Sequence, residues 1–149
     1  MSGWRMNQQS ERIEVSLETH FESVDRAEEI SLRAAQSCGF CEDDCQKICL
    51  AVREGIVNAI RYGNEEQRDK KIFLSFAFAD DKMVVRILDQ GRGFDLSDIP
   101  DPLAEENLLK TSGRGIFLMR TFMDEFAVLR PSTGGAELVM TKRRRTNTK

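Results

Sequence analysis

Glu54 and Asn58 stand four residues apart in the run Glu54-Gly55-Ile56-Val57-Asn58-Ala59-Ile60-Arg61-Tyr62-Gly63. On a helix that spacing stacks a carboxylate and an amide on one side, away from Val52 and Ile56. A carboxylate so placed can take a proton from a hydroxyl or a water. An amide oxygen is a hard ligand suited to Mg²⁺. A solvated helix face would carry the same pattern, so the pair alone does not decide. A second group follows in Asp89-Gln90-Gly91-Arg92-Gly93-Phe94-Asp95, at the end of an apolar segment. An aspartate there can accept a hydrogen bond from an exocyclic amine such as that of adenine. Gly91 and Gly93 let the backbone turn and approach a ligand closely. The third group is Thr111-Ser112-Gly113-Arg114-Gly115-Ile116. Gly113 and Gly115 lead into a helix, and free N–H groups at a helix start form an anion site apt for phosphates. Lys110 and Arg114 add positive charge. No Gly-x4-Gly-Lys-Ser/Thr loop occurs, and no third glycine completes a dinucleotide fingerprint after Gly93.

These groups need elements to position them. Ile13-Glu14-Val15-Ser16-Leu17 alternates apolar and polar residues and predicts a strand. A helix is expected from about Phe21 to Ser37, ended by Gly39. A second helix opens on Glu42-Asp43-Asp44, acidic residues at the positive end of the dipole, and runs to about Tyr62. Strands are expected at Lys71–Phe78 and Lys82–Asp89, joined by Ala79-Asp80-Asp81. Residues 91–112 form a long loop, which in a small domain usually serves function. A short helix from about Gly115 to Met123 and two strands, Glu125–Leu129 and Ala136–Thr141, complete the order, with Pro131-Ser132-Thr133-Gly134-Gly135 as their connection. The class is α+β: a single-layer, mostly antiparallel mixed sheet with helices packed on one face.

With 149 residues, 40% hydrophobic and 32% charged, the chain fits one globular domain. No apolar run approaches the roughly 18–20 residues that span a membrane, and residues 1–10 carry no export signal, so a cytoplasmic protein is expected. The net charge of −3 gives no global attraction to nucleic acid. Lys142-Arg143-Arg144-Arg145 with Lys149 reads either as a nucleic-acid tail or, preferably, as a solvated, frayed terminus. Cys38, Cys41, Cys45 and Cys49 have spacing compatible with a metal or redox site. The four-residue recurrence of the last three, continued by Ile48, Val52, Ile56 and Ile60, favours core packing instead.

The order of the three groups is more specific than any one of them. Glu-x3-Asn on a helix, Asp-x-Gly-x-Gly-Phe after a hairpin, a variable loop and then Gly-x-Gly opening a helix resembles the GHKL, or histidine-kinase-like, ATPase superfamily with its Bergerat-type ATP-binding fold. Within it, the chain is most similar to the anti-sigma factor serine/threonine kinases. The resemblance covers roughly residues 11–143, leaving 1–10 as a disordered N-terminal segment and 144–149 as a basic tail. It implies ATP and Mg²⁺ as cofactors, Glu54 as general base and Asn58 as the Mg²⁺ ligand. Asp89 would hold the adenine amine, with Gly91 and Gly93 shaping the purine pocket. Residues 96–112 would form a lid over ATP, and Gly113 and Gly115 would meet the phosphates. The implied activity is phosphorylation of Ser or Thr on a small anti-anti-sigma (STAS-type) protein by a kinase that otherwise sequesters a sigma factor, commonly as a homodimer.

Three positions depart from the family pattern. Tyr62 stands where many relatives carry His, Gly55 replaces a common Ala, and Gly134-Gly135-Ala136-Glu137 stands where a threonine often helps hold adenine. The base, the metal ligand and the glycine groups remain. His20, the only histidine, is expected at a helix entry. About ten residues before the first strand leave no room for a phosphoacceptor helical hairpin, which argues against a detached two-component domain. A GHKL module acting only by protein contact is the alternative, and an intact Glu54 favours the enzyme over it.

Overall fold

The computed structural model describes residues 11–91 and 111–145. Residues 92–110 of the expected loop and lid, the N-terminal segment 1–10 and residues 146–149 lie outside them, as do Gly93 and Lys110; residues 111 and 112, expected to end the loop and lid, are helical instead.

Alternation of apolar and polar residues builds the sheet. Strand β1 (Glu11–Glu18), β2 (Lys71–Ala79), β3 (Lys82–Leu88), β4 (Glu125–Leu129) and β5 (Glu137–Arg143) hydrogen-bond in the order β1-β2-β3-β5-β4. Every ladder among the described residues is antiparallel, so the expected mixed character is absent from this part of the sheet. Successive side chains point to opposite faces. Leu17, Ile72, Leu74, Phe76, Met83, Val85, Ile87, Leu138 and Met140 are buried on one of them. The β2–β3 connection is a two-residue turn in which Asp80 and Asp81 both take positive φ (55° and 62°). That conformation matches the twist of the flanking strands, and aspartate tolerates it better than most residues.

Helices α1 (Glu22–Ser37), α2 (Glu42–Asn58) and α3 (Thr111–Phe122) cover the buried face, with α2 packed between the other two. Ile48, Val52 and Ile56 of α2 recur at helical spacing and are fully buried. Each contributes roughly 1.5–3 kcal/mol of apolar burial. Helix α1 stops where Gly39 adopts φ +87°; Gly39 N–H donates to Gln36 O and Phe40 N–H to Ala35 O, which satisfies the terminal carbonyls. His20 sits at the entry to α1 as expected, its Nδ1 accepting from the Glu22 N–H at 3.0 Å. The helix expected to reach Tyr62 continues beyond Asn58 as one π-helical turn, Ala59–Gly63. Helix α3 begins at Thr111, four residues earlier than expected.

Cys38, Cys45 and Cys49 pack in the interior, whereas Cys41 is exposed at the start of α2. The reading of Cys41 as part of the buried stripe is therefore corrected: as the residue preceding the first helical turn, it has extended backbone and faces outward. Among the described residues no group of His, Cys, Asp and Glu could hold a metal ion. Burial pushes the Cys49 thiol up to about 11, reinforced by Glu28 and Cys45. Burial likewise raises Cys45, beside Cys41, Asp44 and Glu42.

Within the basic run at the end of β5, Lys142 and Arg144 are held by the fold, while Arg143 and Arg145 are exposed. Lys142 is 3% exposed; its Nζ donates to Phe122 O at 2.7 Å and lies 3.8 Å from Asp44 Oδ1. Arg143 pairs with Glu125 at 2.5 Å. Arg144 pairs with Asp81, donates to Cys38 O and stacks over Phe78. No helix among the described residues is long and apolar enough to cross a membrane.

Candidate functional site

The site begins on the flank of α2 that faces α3. Glu54 is half-buried and Asn58 buried, one turn apart. Both point at Gly115: a Cβ there would stand 3.1 Å from Glu54 Oε1 and 3.3 Å from Asn58 Nδ2. The missing side chain of Gly115 is thus what allows α3 to lie against these two groups. Gly113 is the third residue of α3, among the first turn's N–H groups that have no intrahelical acceptor. Gly115 is the fifth, one turn inside the helix rather than ahead of it. Arg114 is exposed.

Gly55 explains itself by its neighbours. A Cβ would approach Ile87 Cδ1 to 2.5 Å, with Leu138 and Met119 next to it. The glycine lets α2 settle onto the sheet, at a cost of about 1 kcal/mol in helix propensity relative to alanine.

One π turn beyond Asn58, the helix meets Asp89. A Cβ on Gly63 would come within 2.1 Å of Asp89 Oδ2, and one on Gly91 within 1.7 Å of Gly63 O. Gly135, at φ +80°, approaches Asp89 O in the same way. Asp89 is buried within this cage. Its Oδ1 accepts from Gly91 N–H at 2.9 Å and Ala136 N–H at 3.1 Å, and its own N–H donates to Ala136 O. Burial raises the Asp89 carboxyl above its usual range; the Gly91 and Ala136 N–H groups and the Lys70 charge offset part of that. Ala136 offers no hydroxyl, but its backbone orients the carboxylate.

The fold therefore brings Glu54, Asn58 and Gly115 together before the π turn, and Asp89 and Gly91 against Gly63 at its end. An amide oxygen at Asn58, shared with phosphate oxygens and water, is a donor set that fits Mg²⁺. Sequence reasoning took Gly63-Asn64 only as a helix stop, and Gly134-Gly135 as a turn leading into the stretch where a threonine often helps hold adenine. Gly63, Gly135 and Asn64 all belong to the Asp89 cage. Their signal was a glycine next to a polar residue at a helix end, which is too common to single out.

This arrangement, a three-helix layer on an antiparallel sheet with a helix-borne carboxylate and amide facing a glycine-rich helix start, defines a class. A sequence model of the histidine kinase-like ATPase domain matches residues 17–142, and the chain belongs to that family. Within it, the chain is similar to the serine-protein kinase RsbW of Bacillus licheniformis, at 30% identity over 72% of this chain and 70% of that one. It is 28% identical to the Bacillus subtilis RsbW over 72% of this chain and 70% of that one. It is 27% identical to a Listeria monocytogenes RsbW over 72% and 71%. Its fold also matches a crystal structure of RsbU and RsbW domains from Mycobacterium tuberculosis, with a TM-score of 0.65 at 16% identity. That match covers 90% of this chain and 32% of the other.

Proposed function

We propose that this chain is an ATP-dependent protein serine/threonine kinase of the anti-sigma type. It sequesters a sigma factor in the cytoplasm and phosphorylates a Ser or Thr of an anti-anti-sigma partner. The observation that carries the reading is Glu54: a half-buried carboxylate, retained beside Asn58 and held against Gly115. Nucleotide binding alone does not require a base at that point. ATP, when bound, supplies the phosphoryl group. Glu54 would take the proton from the attacking hydroxyl, and Asn58 would hold Mg²⁺, which would supply positive charge to the phosphates. Asp89 accepts from the adenine amine, and Gly91 lets the chain pack against Gly63 so that its N–H returns to the Asp89 carboxylate. Gly113, Gly115 and Arg114 at the start of α3 would meet the phosphates, and Lys110, which precedes them in sequence, would add positive charge.

The sheet face turned away from the helices supports a homodimer. Phe73, Leu88, Glu137 and Leu129 lie in register across β2, β3, β5 and β4, and Phe73 (38%) and Leu129 (45%) are exposed. Exposed apolar residues flanking the Glu137–Arg86 ion pair on an open sheet face are suited to a second copy.

The test is single-turnover transfer from labelled ATP to candidate anti-anti-sigma proteins. Wild-type chain labels a partner Ser or Thr, and Glu54→Gln binds ATP but transfers none. Full transfer by Glu54→Gln removes the general base. ATP binding without transfer by the wild type, to any candidate, favours a module that acts by contact alone.

A further inference from the structure

We propose that Asn64 and Thr19 are positioning residues for the base end of the nucleotide site, acting through Asp89. The proposal rests on the reading of Asp89 as acceptor for the adenine amine. Asn64 follows the π turn and is completely buried. Its Nδ2 donates to Thr19 Oγ1 at 2.7 Å and to Lys71 O at 3.0 Å. Its Oδ1 accepts from the Gln90 N–H at 2.8 Å. Thr19 is 2% exposed, and its hydroxyl donates to Lys70 O at 2.7 Å. The Gln90 side chain closes the circuit, its Oε1 accepting from the Lys71 N–H at 2.7 Å. One amide thus joins the end of β1, the π turn, the start of β2 and the residue after Asp89.

The direction of each bond follows from the chemistry. The Thr19 hydroxyl has one proton, and it is committed to Lys70 O. Toward Asn64 it can only accept, so the Asn64 NH₂ must face it and the Asn64 oxygen must face Gln90. Strand β3 ends at Leu88, and the Gln90 N–H finds its acceptor in Asn64. That bond sets the path of the chain from Asp89 to Gly91, whose N–H returns to Asp89 Oδ1. Fixing Gln90 therefore fixes the orientation of the Asp89 carboxylate. A fixed carboxylate discriminates between bases: adenine presents an N–H donor to it, whereas guanine presents a carbonyl oxygen that it repels.

The experiment measures ATP and GTP binding by the full chain for wild type, Thr19→Val, Thr19→Ser and Asn64→Asp. Valine matches threonine in shape but has no hydroxyl. Thr19→Val should weaken ATP binding about tenfold, the effect of losing one well-placed hydrogen bond, with GTP binding nearly unchanged. The preference for ATP then shrinks by the same factor. Thr19→Ser keeps the hydroxyl and should retain the wild-type preference. Asn64→Asp, which sets an oxygen against Thr19 Oγ1 and Lys71 O, should behave like Thr19→Val. A purely structural role would lower ATP and GTP binding alike and leave the ratio unmoved, which overturns the proposal. So does a Thr19→Ser variant as impaired as Thr19→Val. If neither variant folds, hydrogen exchange on the wild type decides: the Gln90 amide should exchange more slowly with ATP than without it, and equal rates overturn the proposal. A wild type that binds no adenine nucleotide sinks the reading of the site as a whole. Wild-type binding with an unchanged ratio in both variants sinks this inference alone.

Discussion

Replacing Gly115 by Ala should separate catalysis from stability. The new Cβ would stand 3.1 Å from Glu54 Oε1, 3.3 Å from Asn58 Nδ2 and 3.8 Å from Glu54 Cβ. The first two are tighter than ordinary van der Waals contact, so each polar end must shift by a few tenths of an ångström. Moving such side chains off their preferred rotamers costs about 0.5–1.5 kcal/mol. Alanine returns about 0.8–1 kcal/mol relative to glycine inside a helix. The two nearly cancel, and the unfolding free energy should change by less than about 1 kcal/mol. Catalysis has no such compensation. A misplacement approaching 1 Å costs on the order of a hundredfold in rate, and a smaller one proportionately less. The phosphoryl-transfer rate should fall roughly tenfold to a hundredfold, with ATP affinity much less affected because Asp89 lies beyond the crowding. Chemical denaturation and single-turnover transfer measure the two quantities separately. A Gly115→Ala chain with wild-type stability and a wild-type transfer rate would refute the placement of Glu54 and Asn58 against α3.

Gly55→Ala should do the opposite, since its Cβ meets Ile87 Cδ1 at 2.5 Å in the core. Overpacking of about 1–3 kcal/mol should exceed the helix gain of about 1 kcal/mol, and a thermal melt should show a lowered midpoint. Lys142→Met removes the buried cation beside Asp44 and leaves it only the exposed Arg145 at 3.9 Å, and among the described residues Asp44 Oδ1 has no hydrogen-bond partner. Denaturation should show a loss of about 3–5 kcal/mol, with Asp44→Asn added in the double variant recovering much of it. Asp89→Asn should weaken ATP binding roughly tenfold to a hundredfold, the range for a hydrogen bond to a charged group. It should also change the pH dependence of stability. Because burial raises the Asp89 carboxyl in the folded chain, that chain binds the proton more tightly than the unfolded one. Its contribution to stability is then full below the ordinary value of 3.8 and is lost as pH rises through the raised value. Asp89→Asn should flatten this part of the stability–pH curve and leave the chain no less stable at pH 7.

Local pattern carried most of the fold. Alternation located β1, the hairpin connection at Ala79-Asp80-Asp81 located β2 and β3, and β4 fell at Glu125–Leu129 as expected. Helical recurrence from Cys45 to Ile56 located α2 and its buried face. The start of α3 was misjudged because Thr111, Ser112 and Gly113 have weak helix propensity, so the glycines suggested a turn where the structure has helix. The π turn at Ala59–Gly63 was invisible for a related reason: one extra residue in a helical turn leaves no compositional mark. Glu54, Asn58 and Asp89 were legible through order and spacing. The cage around Asp89 was not, because Gly63, Asn64 and Gly135 act by how closely segments distant in sequence approach. Arg144 likewise looked like part of a loose tail until its partners, Asp81, Cys38 and Phe78, were seen to come from two remote turns and a strand.

The most direct test of the central claim is calorimetric titration of the purified chain with ATP, with and without Mg²⁺. A nucleotide pocket running from Glu54 and Asn58 to Asp89 predicts one ATP per chain, tighter with Mg²⁺ and strongly weakened in Asp89→Asn. No heat of binding from the folded wild type, or equal binding by wild type and Asp89→Asn, would contradict it.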